Sequence, residues 1–278
     1  QSGSTPTTAL TFAGANATFA GTINGVGISY NISNFSESLL ISNDAGTGTL
    51  STATANTGFG HEVFDDLTSG DNNTAMGHKA GDALTSGLLN TFVGSNAGGG
   101  NQTSSNNTAV GAFAFDAGTG ADNVAIGSGA LGGSSNSATD NVAIGMDAGN
   151  QISSGASNVL IGSHAGDALN TGTGNVAVGH VALTNEDANS YNVAIGFEAL
   201  TALNAGTDAY NVAVGTSAGA SLVTGYNNTF VGTSSGQLLG TSGSGGNHCT
   251  FIGYQAGFDG DTIIQTTAVG AKALHEIT

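Results

Sequence analysis

From residue 56 onward one five-residue phrase is written thirteen times, and any fold must place all thirteen copies equivalently. The phrase runs Asn, then Thr or Val, then usually Ala, then a larger apolar residue, then Gly. Asn73-Thr74-Ala75-Met76-Gly77, Asn123-Val124-Ala125-Ile126-Gly127, Asn141-Val142-Ala143-Ile144-Gly145 and Asn158-Val159-Leu160-Ile161-Gly162 are representative copies. Its Gly falls at 60, 77, 94, 111, 127, 145, 162, 179, 196, 215, 232, 253 and 270, and eight of the twelve intervals are 17 residues. A fixed short period marks a chain that winds into stacked coils, each unable to bury its apolar face alone.

Within the phrase, slots two and four fall on one face of a strand and slots one, three and five on the other. Slot two is Thr in seven copies and Val in six, and slot four is Val, Ile, Met or Phe. The β-branched, apolar face is expected inside, which places Ile126, Ile144 and Ile161 in the core. The Gly permits a tight turn. Three residues after it stands Ala in eleven of thirteen copies, with Val63 and Ser235 as the exceptions, and a polar turn such as Leu84-Thr85-Ser86-Gly87 follows. Apolar residues do not recur every six positions, so two short strands and two turns per coil are expected: an all-β parallel roll, or β-solenoid. At a strand spacing of ~4.8 Å thirteen coils make a rod roughly 60 Å long.

Residues 1–55 lack the phrase but alternate in places, as in Val26-Gly27-Ile28-Ser29-Tyr30-Asn31-Ile32. Thr18 to Ile23 and Ser38 to Ile41 read as strands less clearly. They are expected to form a small β-rich N-terminal cap on a repeat domain spanning 56–278, because an open terminal coil exposes unpaired strand edges. The chain begins at Gln1 and stops in mid-repeat, so a processed or excerpted segment of a longer polypeptide is expected.

Composition narrows function. Two lysines and no arginine stand against 19 acidic residues, a formal charge of −17. Phosphate binding releases counterions through Lys and Arg, so no nucleic-acid partner is expected, nor a basic patch on anionic lipid. No apolar run approaches the ~18 residues of a membrane span, and no membrane insertion is expected. One cysteine, Cys249, excludes an intrachain disulfide. With 47 glycines but 38% apolar residues regularly placed, the chain reads as ordered and turn-dense rather than disordered. A thin roll with small Ala and Gly positions is expected to associate with copies of itself.

The phrase resembles the head repeats of trimeric autotransporter adhesins, the YadA-type heads. Asn123 to Gly127 with Ala130, and Asn192-Val193-Ala194-Ile195-Gly196 with Ala199, carry the likeness most closely, and it covers about 223 of 278 residues. The resemblance implies a left-handed parallel β-roll, a homotrimer and attachment to a surface. Asn-Thr-Ala-Val-Gly arrays with Leu-Thr-Ser-Gly spacers also look like fibre proteins of tailed, marine-type phages. The longer period, and the lack of a stalk or membrane barrel in the chain, weight the phage form. A virion tail fibre that presents a host-attachment surface is therefore expected, non-enzymatic and extracellular. Its expected partners are itself, a cell-surface glycan or protein receptor, and other fibre or baseplate proteins. The alternative is a bacterial surface adhesin or extracellular structural filament, and a minor one is an ice-binding solenoid with an ordered Thr face.

Stacking turns each slot into a ladder, so chemistry is judged by ladders. The Asn slot suits turn capping and bonding between coils. His61 and His78 share the slot after the Gly one coil apart; two imidazoles fall short of a metal site, and no metal or cofactor is expected. Asp82, Asp116, Asp167 and Asp187 recur near a turn and read as a solvated face. No nucleophile elbow, phosphate loop or calcium nonapeptide is present. Tyr191, Tyr210, Tyr226 and Tyr254, with the loop 238–246, are the candidates for contact with a receptor.

Overall fold

The computed structural model describes residues 22–23, 26–32, 35–42, 50–133, 137–185, 187–206, 208–240, 246–260 and 263–275. Among them there is no helix. Each copy of the phrase forms a three-residue strand over slots two to four, from Thr57–Phe59 to Thr267–Val269, and all thirteen join one parallel sheet. Register is strict: Val142, Ala143 and Ile144 pair with Val124, Ala125 and Ile126 on one side and with Val159, Leu160 and Ile161 on the other. The 21-residue interval keeps it too, since Thr229 pairs with Thr250. Extra residues therefore leave the strands undisturbed and enlarge a turn. Within that enlarged turn, residues 241–245 of the expected contact loop lie outside the described residues.

The N-terminal strands are β1 (Thr22–Ile23), β2 (Val26–Ile32), β3 (Phe35–Ser42) and β4 (Ala53–Thr54). β2 and β3 form an antiparallel hairpin, and β3 then pairs in parallel with the first repeat strand: Leu39 with Thr57, Leu40 with Gly58, Ile41 with Phe59. Ser38 stands where later coils have Asn, and its buried Oγ accepts the Asn56 N–H at 2.7 Å. Ser38-Leu39-Leu40-Ile41 is thus one more rung, hidden in the sequence because Ser replaces the Asn and Ser42 the Gly. Thr18 to Gly21 lie outside the described residues.

The strand faces are the reverse of the expectation. Slots one and three point inward: every slot-three side chain from Ala75 to Ala268 is buried, as are the Asn residues of slot one. Slots two and four point outward, so Ile126 and Ile161 are exposed and Ile144 only partly covered. The interior beside slot one is lined by Asn rather than by branched side chains. A polar Asn can occupy it because stacking satisfies the whole amide. Asn73 donates its N–H and Nδ2–H to Asn56 Oδ1 at 2.9 and 3.0 Å, and Nδ2 donates again to Gly87 O at 2.9 Å. The same bonds recur through Asn123, Asn141 and Asn158 to Asn228. At the end of the ladder the Cys249 N–H donates to Asn228 Oδ1 at 2.9 Å.

The opposite wall is also not the expected second strand. Among the described residues only Leu238–Leu239 with Asp259–Gly260 pair as strands there. Elsewhere the residues two and four after the Gly take positive φ, as at Glu62 and Phe64 or Val181 and Leu183. Backbone N–H groups then point alternately toward the coils before and after: Lys79 N–H donates to His61 O at 2.8 Å and Gly81 N–H to Ala97 O at 2.9 Å. This wall is hydrogen-bonded between coils without being a pleated strand. The slot-five Gly is required by the stack. A Cβ on Gly77 would overlap the Gly94 carbonyl oxygen, and its φ of +142° disfavours any side chain.

The core between the walls is a column of Ala, Leu and Phe, including the Ala three residues after each Gly, such as Ala80, Ala97 and Ala165. Large residues alternate across it. Phe92 faces Gly81 and Gly98, Leu160 faces Gly149 and Gly166, and Phe230 faces Gly219 and Gly236. At Ala125 and Ala194 of slot three the facing slot holds Leu131 and Leu200, whereas Ala75, Ala143 and Ala213 face Gly81, Gly149 and Gly219. A large side chain in one rung thus fills the space left by small residues in its own and the preceding rung, which keeps the column close-packed.

Candidate functional site on the outward strand face

Slots two and four build one continuous outward surface, exposed or partly exposed at every rung. Thirteen rungs, each with two outward side chains, give a strip about 60 Å by ~10 Å, on the order of 600 Å². Thr and Val supply one column; Phe59, Met76, Val93, Val110, Ile126, Ile144, Ile161, Val178, Ile195, Val214, Val231, Ile252 and Val269 supply the other. None of the 19 acidic residues occupies either column. An apolar strip of this size is at the upper end of what a solitary soluble chain leaves exposed.

Two edges flank the strip. At the edge preceding the strands, Tyr191 and Tyr210 stack one rung apart with ring centres 5.3 Å apart and planes within 8°. The Tyr191 ring also covers Gly174 in the coil before. Tyr226 meets His248 edge-on at 5.2 Å. Tyr191, Tyr210 and His248 occupy the residue before the slot-one position, with φ near +60° at each, and all three are exposed. Three of the four candidate tyrosines therefore share this edge, whereas Tyr254 follows the Gly on the other. His248 was not a candidate from sequence; its position before slot one, in line with Tyr191 and Tyr210, is the signal that could have found it.

At the edge following the strands, His61 and His78 lie in parallel, ring centres 5.2 Å apart and planes 12° apart. Glu62 joins them. Its Oε1 is 3.3 Å from His61 Nδ1 and its Oε2 is 2.9 Å from Lys79 Nζ. The hydrogen bond to Lys79 holds the Glu62 carboxyl below the usual carboxylate range, so it is ionised at neutral pH. Glu62 was missed because it belongs to no ladder. His180, in the same slot, stacks instead on Phe197 at 5.6 Å.

On the turn side, Asp82, Asp116 and Asp167 are half-buried, and burial pushes each carboxyl above its usual range. Asp82 and Asp116 flank Gly99, whose missing side chain leaves a notch between them. A shallow open groove of about 620 Å³ runs past Gln151, Asn170, Asp187 and Asn204 and is lined by polar groups. Cys249 is buried, and burial raises its thiol pKa, so it is a core filler rather than a reactive thiol.

No family model matches the chain, and neither does any curated protein or solved structure. The geometry above therefore carries the functional argument alone. Its largest feature is an uncharged sheet face of Thr, Val and larger apolar side chains that runs along the stack of coils.

Proposed function

We propose that the chain is a non-enzymatic fibre segment that assembles with copies of itself, as a homotrimer, through the outward strand face and presents its edges and turns to a cell surface. The observation that carries this reading is the outward placement of slots two and four. A strip on the order of 600 Å² per chain approaches the ~800 Å² that each partner of a stable complex buries. Its lack of charge matches the depletion of charged residues at interface cores. The chain's −17 formal charge then remains on the solvent-facing turns, where it keeps the assembly soluble.

A tail fibre of a phage fits this reading best, with a bacterial surface adhesin as the alternative. The long 17-residue coil and the Leu-Thr-Ser-Gly spacers support the former. Attachment is assigned to the aromatic edge at Tyr191, Tyr210, Tyr226 and His248, whose exposed rings offer contact area to a glycan or protein receptor. Labelled protein applied to candidate host cells tests the assignment. Binding that falls at least tenfold in a Tyr191→Ala/Tyr210→Ala variant supports it, and absence of binding to any tested host sinks the attachment role.

One observation favours a second reading. The Thr residues of slot two, expected inside, lie outside on a flat, regularly spaced face at Thr57, Thr74, Thr91 and Thr108 and again at Thr229, Thr250 and Thr267. Such a lattice can order water against ice. Inhibition of ice recrystallisation by a single-chain species would establish ice binding in place of assembly.

A further inference from the structure

We propose that His61, Glu62 and His78 form a binding site for one divalent transition-metal ion of the zinc, nickel or copper kind, clipping the first repeat coil to the second. One ligand atom from each residue lies within 4.8 Å of the other two. A tetrahedral ion at ~2.1 Å from each donor needs ligand atoms about 3.4 Å apart. Small rotations of exposed or half-buried side chains close that difference. The backbone under them is already fixed by the 2.8 Å bond from Lys79 N–H to His61 O.

Three features separate this cluster from the other stacked rings of the repeat. First, His61 Nδ1 is shielded from water and has no hydrogen-bond partner; Glu62 Oε1 is near it but not aligned for a bond. A buried imidazole nitrogen without a partner is costly unless something coordinates it. Second, Lys79 engages only Oε2 of Glu62, which keeps the carboxylate oriented and leaves Oε1 on the histidine side. Third, His180 has the same slot and a parallel ring neighbour, but that neighbour is Phe197. The repeat alone produces ring contacts, and His164 and His180, with Asp167 beside His164, sit edge-on at 6.5 Å, whereas among the described residues only His61, Glu62 and His78 bring three ligand atoms together. Two nitrogens and one oxygen suit zinc, nickel or copper and not calcium or magnesium, which take oxygen donors. Three protein ligands leave a fourth position for water or for a group from a partner molecule.

The site spans the junction where the β2–β3 hairpin meets the repeats, so a bound ion adds a cross-link where an end of the stack opens first. The test is titration of the full chain with Zn²⁺ and Co²⁺, followed by calorimetry and by cobalt absorption, together with thermal melting. One ion per chain, a visible cobalt band and a raised melting temperature are expected. His78→Ala and Glu62→Gln should each weaken binding at least tenfold, and His180→Ala should leave it unchanged. Calcium at the same concentration should neither bind there nor displace zinc. Binding that survives a His61→Ala/His78→Ala variant folded as the parent, or no binding by the parent chain, overturns the proposal.

Discussion

The Phe92 ring fills the space that Gly98 leaves empty: a methyl group built on Gly98 would fall 2.5 Å from two ring carbons. The opposite arrangement, small on the strand and large on the facing wall, occurs at Ala125 and Leu131, both fully buried. Large side chains from the strand and from the facing wall thus share one column, and the rungs Ala75/Gly81, Ala143/Gly149 and Ala213/Gly219, with none at either position, are filled by Phe92, Leu160 and Phe230 of the following coil. Phe92→Ala should cost about 3–5 kcal/mol by leaving a cavity, and Gly98→Ala about 1–3 kcal/mol by overpacking, made worse by its φ of +64°. The double variant Phe92→Ala/Gly98→Leu should be more stable than the sum of its single changes, because it copies the Ala125/Leu131 rung. Chemical denaturation of the parent, Phe92→Ala, Gly98→Leu and the double variant measures the coupling.

The neighbours Leu160 and Ile161 should behave oppositely. Leu160 is fully buried whereas Ile161 is 38% exposed in the single chain. Leu160→Ala should cost ~2–5 kcal/mol whatever the assembly state. Ile161→Ala should cost less than about 1 kcal/mol in any dissociated chain. Denaturant midpoints at low protein concentration, where assembly is least, separate the two.

Cutting the Asn ladder should be expensive out of proportion to the atoms removed. Asn141 Oδ1 accepts both the N–H and the Nδ2–H of Asn158, each at 3.0 Å. Asn141→Ala strands two buried donors at about 1–3 kcal/mol each. Amide hydrogen exchange should show the loss as faster exchange at Asn158 and in the adjoining strands, with coils several rungs away little changed.

Acid should stabilise the roll at first. Burial raises the carboxyl pKa of Asp82, Asp116 and Asp167 in the folded chain above the unfolded value of 3.8. The native state then binds more protons than the unfolded state between the two values, so stability falls as pH rises through that window and recovers as pH is lowered. Asp82→Asn should stabilise at pH 7, and the gain should vanish as the parent is brought toward pH 3.8. A gain of constant size at all pH values would mean that burial of the charge is not its cause.

The sequence made the period, the register, the Gly slot and the Ala slot legible, because each is a backbone requirement repeated in every coil. Which face points inward was not legible. Period-two alternation defines two faces without choosing between them, and hydrophobicity favours Val142 and Ile144 over Asn141 and Ala143. Only the stacked amides, satisfied across coils, reverse that preference. The turn wall was equally hidden, since nothing in Val181 or Phe115 announces the positive φ that each adopts. Of the site residues, the pairing of His61 with His78 followed from their shared slot. Glu62 needed coordinates, because its part depends on where one unrepeated side chain points.

The central claim is that the outward Thr/Val and Ile/Val columns are an interface between copies of this chain. Multi-angle light scattering on the full chain and on an Ile144→Lys/Ile161→Lys variant tests it most directly. The account predicts a parent species of three times the 26.9 kDa chain mass, and a variant that runs as a single folded chain. A parent that remains monomeric at high concentration, or a variant that still forms trimers, would contradict it.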